Sequence, residues 1–295
     1  MADDVLIAGL RSASAPDYLP APLPLLAAGP VVVPGGLTSG GGLRKSGQYS
    51  LTYSLPMLKL IPATDRYHAS PTNWLSSYYL LSFADYNDPD NEHFGALRAF
   101  NDVTIQGKSG YPQQPRSEME IVTLVLEGEL QHDDTIGNRG SVSKGDAQRI
   151  TAGTGLAHAE MNATDTPTHI FQIWLMPGQK GLAPSYERKD VKLFGTSNEL
   201  IPVASGQKVL EDLLYVNSNS TIYWCNLDAE QTVRFKTFPI RNTFIYVLEG
   251  QIFVNGLDVG TSDQLRATNE HVLEIQATAD ARFVLLDLPA TPANY

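Results

Sequence analysis

From about residue 54 onward the chain alternates short apolar runs with polar breaks. The runs are rich in β-branched, aromatic and leucine residues and the breaks in Gly, Pro, Asn and Asp, which is the pattern of strands joined by turns. Strands are predicted over residues 121–130, 169–176, 221–226, 243–253 and 282–288. Helical periodicity is weak, and residues 207–214 form the best short candidate. Residues 18–43 behave differently. They carry no charge, five prolines, and a Gly40-Gly41-Gly42 run. Proline removes a backbone donor and breaks helices, so this stretch does not predict a membrane-spanning helix. It reads either as a low-complexity tail or as an extended arm. In the second reading Leu23, Leu25, Leu26, Val31, Val32 and Val33 are too apolar for water and lie on another surface.

The strand pattern repeats. Val125-Leu126-Glu127-Gly128-Glu129-Leu130 recurs 122 residues later as Val247-Leu248-Glu249-Gly250-Gln251-Ile252. Each copy is followed by a turn with an aspartate, Asp146 or Asp263, and closes on a similar strand, 170–177 or 283–289. Three matches in the same order argue for a duplicated unit. Each unit reads as a hairpin with a Glu-Gly turn, a second turn, and a returning strand. Short antiparallel strands must bury one face and hide their edges, and a small barrel or double-sheet jelly roll does both. The expected fold is all-β, with two tandem barrels and an extended N-terminal arm.

Composition narrows the partners. With 21 Lys plus Arg against 32 Asp plus Glu, the net charge of −11 argues against nucleic acid and against anionic membranes. Apolar residues make up 42% of the 295 positions, enough for a sizeable core. The single cysteine, Cys225, excludes an intramolecular disulfide framework and a cysteine-based zinc site. It fits a reducing compartment. The opening Met1-Ala2-Asp3-Asp4 is unlike a secretory signal, so a cytoplasmic location is expected.

The Val-Leu-Glu-Gly segment, then Gly145-Asp146-Ala147-Gln148-Arg149, then Ala152-Gly153-Thr154-Gly155-Leu156-Ala157-His158-Ala159-Glu160 resembles the pirin-like bicupins. Met119-Glu120-Ile121-Val122-Thr123, Gly137-Asn138 and Gln172-Ile173-Trp174 are similar to that family in the same order. The resemblance implies two facing cupin barrels. It divides the chain into an arm (1–55), an N-terminal cupin (56–189) and a C-terminal cupin (190–295). It also implies one iron-type ion in the N-terminal cupin, held by a His-Pro-His segment and a His-x-Glu segment, and a metal-dependent dioxygenase activity on flavonols such as quercetin.

The second of those segments is intact as His158-Ala159-Glu160, and strand alternation puts both side chains on one face. The first reads Gln114-Pro115-Arg116. A glutamine offers a weaker ligand than imidazole, and arginine has no acceptor and stays charged. A guanidinium beside Glu160 forms a charge-assisted pair instead. This reading predicts a degenerate, metal-free pocket of Gln114, Arg116, Glu120, His158 and Glu160. If an ion of iron, nickel or manganese is bound, His158, Glu160 and Gln114 hold it. His132, next to Asp133 and Asp134, reads as part of a solvated hairpin, and the second unit has no His-x-Glu. The favoured expectation is a non-catalytic scaffold that docks on a protein partner or a second copy through residues 1–55. Two alternatives stand beside it. One is a quercetinase-like dioxygenase with His158 and Glu160 at its centre. The other is a binder of small anions, in which Arg116 clamps the ligand and Trp174 covers it.

Overall fold

The computed structural model describes residues 55–207, 210 and 212–291. The apolar arm positions Leu23, Leu25, Leu26 and Val31–Val33 lie outside the described residues, as do 208, 209 and 211 of the expected helix. Leu214–Tyr215, at the end of that stretch, is a short strand paired in parallel with Ile201–Ser205. No helix among the described residues is long and apolar enough to cross a membrane.

The described chain is nearly all β. A seven-stranded sheet runs in the order Ser185–Lys189, Ala147–Thr151, Glu120–Glu127, Thr168–Leu175, Leu97–Ile105, Leu75–Tyr79, Tyr67–Thr72. A four-stranded sheet of Ser109–Arg116, Leu156–Asn162, Glu129–Asp134 and Arg139–Ser143 belongs to the same half of the chain. The C-terminal half forms one nine-stranded sheet around two long strands, Arg241–Val254 and Val272–Pro289. Met57–Ile61 pairs with Gln264–Thr268 and so joins this C-terminal sheet.

The Glu-Gly motif does not make the hairpin turn expected from sequence. It is a corner. The strand ending at Glu127 belongs to the seven-stranded sheet, and the strand starting at Glu129 belongs to the four-stranded one. Gly128 sits between them with φ +79°, and Gly250 takes the same role within Arg241–Val254 with φ +83°, where the register shifts. Positive φ bends the strand across from one layer to the next without reversing it. Neither corner has room for a side chain. A Cβ on Gly250 would lie 2.0 Å from the Asp280 carbonyl oxygen.

Glu120–Glu127 is buried along its first seven residues because both of its faces are covered. Val122, Leu124 and Leu126 join Phe100, Phe171, Trp224, Phe244 and Tyr246 in the apolar layer shared with the C-terminal half. Ile121, Thr123 and Val125 point the other way, into the first unit. Polar contacts cross the shared layer as well. The Tyr246 hydroxyl donates to Asp102 at 2.7 Å, and the Asn217 backbone N–H donates to Glu120 at 3.1 Å. The interior of the second unit is aliphatic, filled by Leu227, Ile245, Val247, Ile252, Val254, Leu265 and Leu285.

The two glycine corners set up a stability test. Gly250→Ala must accommodate both the strained φ and the Asp280 carbonyl, so it is expected to cost about 1–3 kcal/mol. Urea unfolding of the full chain measures this. An unchanged midpoint would show that the corner is not constrained as described.

Candidate metal centre and its pocket

Alternation along Leu156–Asn162 turns Leu156, His158, Glu160 and Asn162 inward. In Glu129–Asp134 it turns Leu130, His132 and Asp134 inward. These strands are hydrogen-bonded neighbours, with Glu160 opposite His132 and His158 opposite Asp134. The register therefore gathers the three side chains on one inner face. Ligand atoms of His132, His158 and Glu160 all lie within 4.8 Å of one another, the single such group among the described residues. His132 is 1% exposed. The expectation of a solvated hairpin fails here, because its polar neighbours in sequence alternate outward while its own ring faces the interior and stacks on Tyr186 at 4.1 Å.

The state of each ligand follows from its partners. His132 Nε2 meets Asp134 Oδ2 at 3.0 Å. Burial pushes the Asp134 carboxyl up, but hydrogen bonds from His132 and Asn138 outweigh this and hold it below its usual range. An ionised Asp134 keeps the proton on Nε2 and leaves Nδ1 as a bare acceptor. Nδ1 of His132 and Nδ1 of His158 are both buried without a hydrogen-bond partner. Burial, with His132 and Arg116 nearby, pushes His158 down to about 4, so its ring is neutral near pH 7. Two buried imidazoles with unused nitrogens next to a carboxylate match the donor set that binds a non-haem iron-type ion.

Glu160 is oriented by two amides. Gln148 Nε2 donates to Oε1 at 2.7 Å and Gln172 Nε2 donates to Oε2 at 2.8 Å. Each amide is itself set by a donor to its oxygen. The Tyr186 hydroxyl donates to Gln148 at 3.1 Å and Trp174 Nε1 donates to Gln172 at 2.9 Å. Those contacts fix which end of each amide faces the carboxylate. Burial still raises Glu160 to about 7, against the lowering effect of Gln172, Arg116 and Gln148.

The remaining sequence-derived site residues divide. Gln114, opposite His158 on the neighbouring strand, lines a cavity of about 420 Å³ together with Arg116, His158, Glu160, Gln172 and Trp174. Glu120 stands apart. It is fully buried, and it accepts from Thr151 Oγ1 at 3.1 Å and from Asn217. The expected Arg116–Glu160 pair does not form. The guanidinium donates to the Gln114 side chain and to the Pro115 carbonyl, and it lies over the Trp174 ring at 5.2 Å. The replacement of an ion by an arginine, which argued for a metal-free site, is therefore not what the geometry shows.

Comparison with known proteins gives the same picture. A family model described as Pirin matches residues 63–175, and one described as Quercetinase C-terminal cupin domain matches residues 203–288. The chain belongs to the pirin family of bicupins. A protein of Escherichia coli K12 named quercetin 2,3-dioxygenase is 37% identical over 79% of this chain and 99% of that protein. A pirin-like protein of Caulobacter vibrioides is 35% identical over 76% of this chain and 96% of that protein. Among solved structures, the bacterial pirin YhhW of E. coli in complex with nickel(II) superposes with a TM-score of 0.75. It is 34% identical, covering 80% of this chain and all of that one. These findings overturn two expectations, the non-catalytic scaffold and the absence of a metal. Both rested on the loss of two histidines at positions 114 and 116. His132, which the sequence reading did not include among the ligands, supplies an imidazole from another strand.

Two measurements test this centre. Gln172→Met removes one amide from Glu160 and is expected to weaken divalent-metal affinity about 10–100-fold, read by competition with a chromophoric chelator. Ion binding needs Glu160 ionised, and its carboxyl is held near 7. Apparent affinity should therefore fall by up to about tenfold per pH unit below that value and level off above it. A flat profile between pH 5.5 and 7.5 would contradict the arrangement.

Proposed function

We propose that the chain is a metal-dependent dioxygenase of the quercetinase type, with its ion held by His132, His158 and Glu160. The observation that carries this reading is the convergence of ligand atoms of His132, His158 and Glu160 within 4.8 Å of one another, with an unpartnered buried nitrogen on each imidazole. The site borders a cavity of substrate size whose walls include Leu75, Tyr79, Phe83 and Trp174. The names of the relatives support the same reaction class.

A bound first-row divalent ion would supply Lewis acidity and access to dioxygen chemistry. The protein's own groups do the rest. Asp134 holds the His132 tautomer, and Asn138 and the Ile136 N–H hold Asp134. Gln148 and Gln172 keep the Glu160 oxygens in place. The ring of Trp174, packed edge-on against Phe83 at 5.2 Å, forms part of an apolar wall on which a planar substrate lies and from which water is excluded. In the ion-free site Glu160 is poised near pH 7 between its protonated and ionised forms, and a bound cation would hold it ionised.

The test is metal analysis of the purified full chain together with quercetin-dependent oxygen uptake. Near-stoichiometric iron, nickel or manganese is expected, with uptake lost in His132→Ala, His158→Ala and Glu160→Ala. A protein that binds none of these ions on reconstitution would overturn the reading. Full activity in His132→Ala would return the site to the other two residues and Gln114.

A further inference from the structure

Arg116 is a charged feature of this pocket that the metal centre does not use. Both of its hydrogen-bond acceptors, the Gln114 side chain and the Pro115 carbonyl, are neutral. No carboxylate lies within ion-pair distance of it among the described residues, and its Nε–H is buried with no acceptor. Two of the five guanidinium N–H groups are thus in use and three remain. Arg116 is half-buried, and a cation partly withdrawn from water without a counter-charge favours an anion beside it. The guanidinium carbon lies over the Trp174 ring, 5.2 Å from its centroid, and the side chain borders the cavity. This arrangement places a fixed positive charge at the edge of an aromatic wall formed by Trp174, Phe83 and Tyr79.

A second polar group in the same cavity is unused. Asn101 is 2% exposed, and its Oδ1 is buried with no partner. It sits opposite Gln172 on the adjacent strand, so the two amides share a face. An apolar ligand would leave Arg116 without a counter-charge and the Asn101 oxygen without a donor; an anionic group on the ligand answers the first, and only a hydroxyl or N–H answers the second. A carboxylate answers both the charge and the fork shape of the guanidinium.

We propose that this pocket selects a planar aromatic carboxylate, whose ring lies against Trp174 and Phe83 and whose carboxylate docks on the free N–H groups of Arg116. Arginine's planar fork suits a carboxylate better than it suits a single oxygen. The proposal deepens the pocket reading given above. It rests on that cavity being the substrate site, and does not require the ion to be bound.

The experiment titrates the full chain with 2-naphthoate and with 2-naphthamide, a neutral probe of the same size, by calorimetry. Each titration is run on protein as purified and on protein stripped with chelator. Charge-assisted hydrogen bonds predict that the acid binds about tenfold or more tightly than the amide in both preparations. Arg116→Gln should abolish that preference while leaving the amide within about threefold, and Arg116→Lys should keep part of it. Equal affinities in the unaltered protein, binding of neither probe, or a preference that survives in Arg116→Gln would each overturn the proposal. A preference lost on stripping but kept in Arg116→Gln would also overturn it, since the ion would then be the anchor. If Arg116→Gln does not fold, the acid-against-amide comparison in the unaltered protein still decides. Metal content and quercetin-dependent uptake, read on the same preparations, report separately on the dioxygenase reading.

Discussion

The site depends on one buried carboxylate. Glu160 is 2% exposed inside the N-terminal unit, where an unpaired charge is expensive. Two glutamine amides solvate it, and those amides are set in turn by Tyr186 and Trp174. The residues come from Leu156–Asn162 in the four-stranded sheet and from Ala147–Thr151, Thr168–Leu175 and Ser185–Lys189 in the seven-stranded sheet. The carboxylate therefore ties the two layers together across the interior of the first unit. Neutral amides do not complete the arrangement, because burial still raises Glu160 to about 7. A positive charge would, and the His132 and His158 rings, whose ligand atoms lie within 4.8 Å of that of Glu160, are the groups that would share one with it.

Much of this was legible in the chain. The period-two pattern and the repeat are local signals, and the first places His158 and Glu160 on one face. The missing signals are those that depend on pairing. His132 stands in a polar run, His132-Asp133-Asp134, and only the register against Leu156–Asn162 shows that positions 132 and 134 turn inward while 133 turns out. The Glu-Gly motif reads as a turn because glycine after a strand usually makes one. Whether the chain reverses or crosses to another sheet depends on partners far away in sequence. The chemistry of Arg116 was legible, but its direction was not. Its nearest acceptors, Gln114 and Pro115, lie within two residues, and they hold the guanidinium away from Glu160.

The duplication offers an internal control on what the fold requires. With the repeat offset of 122 residues, Thr123 corresponds to Ile245 and His132 to Val254. Thr123 pairs with Gln148 and Gln172 on its two sides, and Ile245 pairs with Leu265 and Leu285. So the ligand His132 and both amides around Glu160 have aliphatic counterparts, all fully buried in the second unit. The second unit shows that this architecture closes with aliphatic side chains at the positions of His132 and the two amides, which is the cheaper way to fill them. The polar set of the first unit is therefore not a folding requirement. Buried polar groups that break the rule followed by their own repeat are the places where function overrides stability. By the same comparison, the His132, His158 and Glu160 cluster and the unpaired guanidinium of Arg116 set the first unit apart from its own repeat.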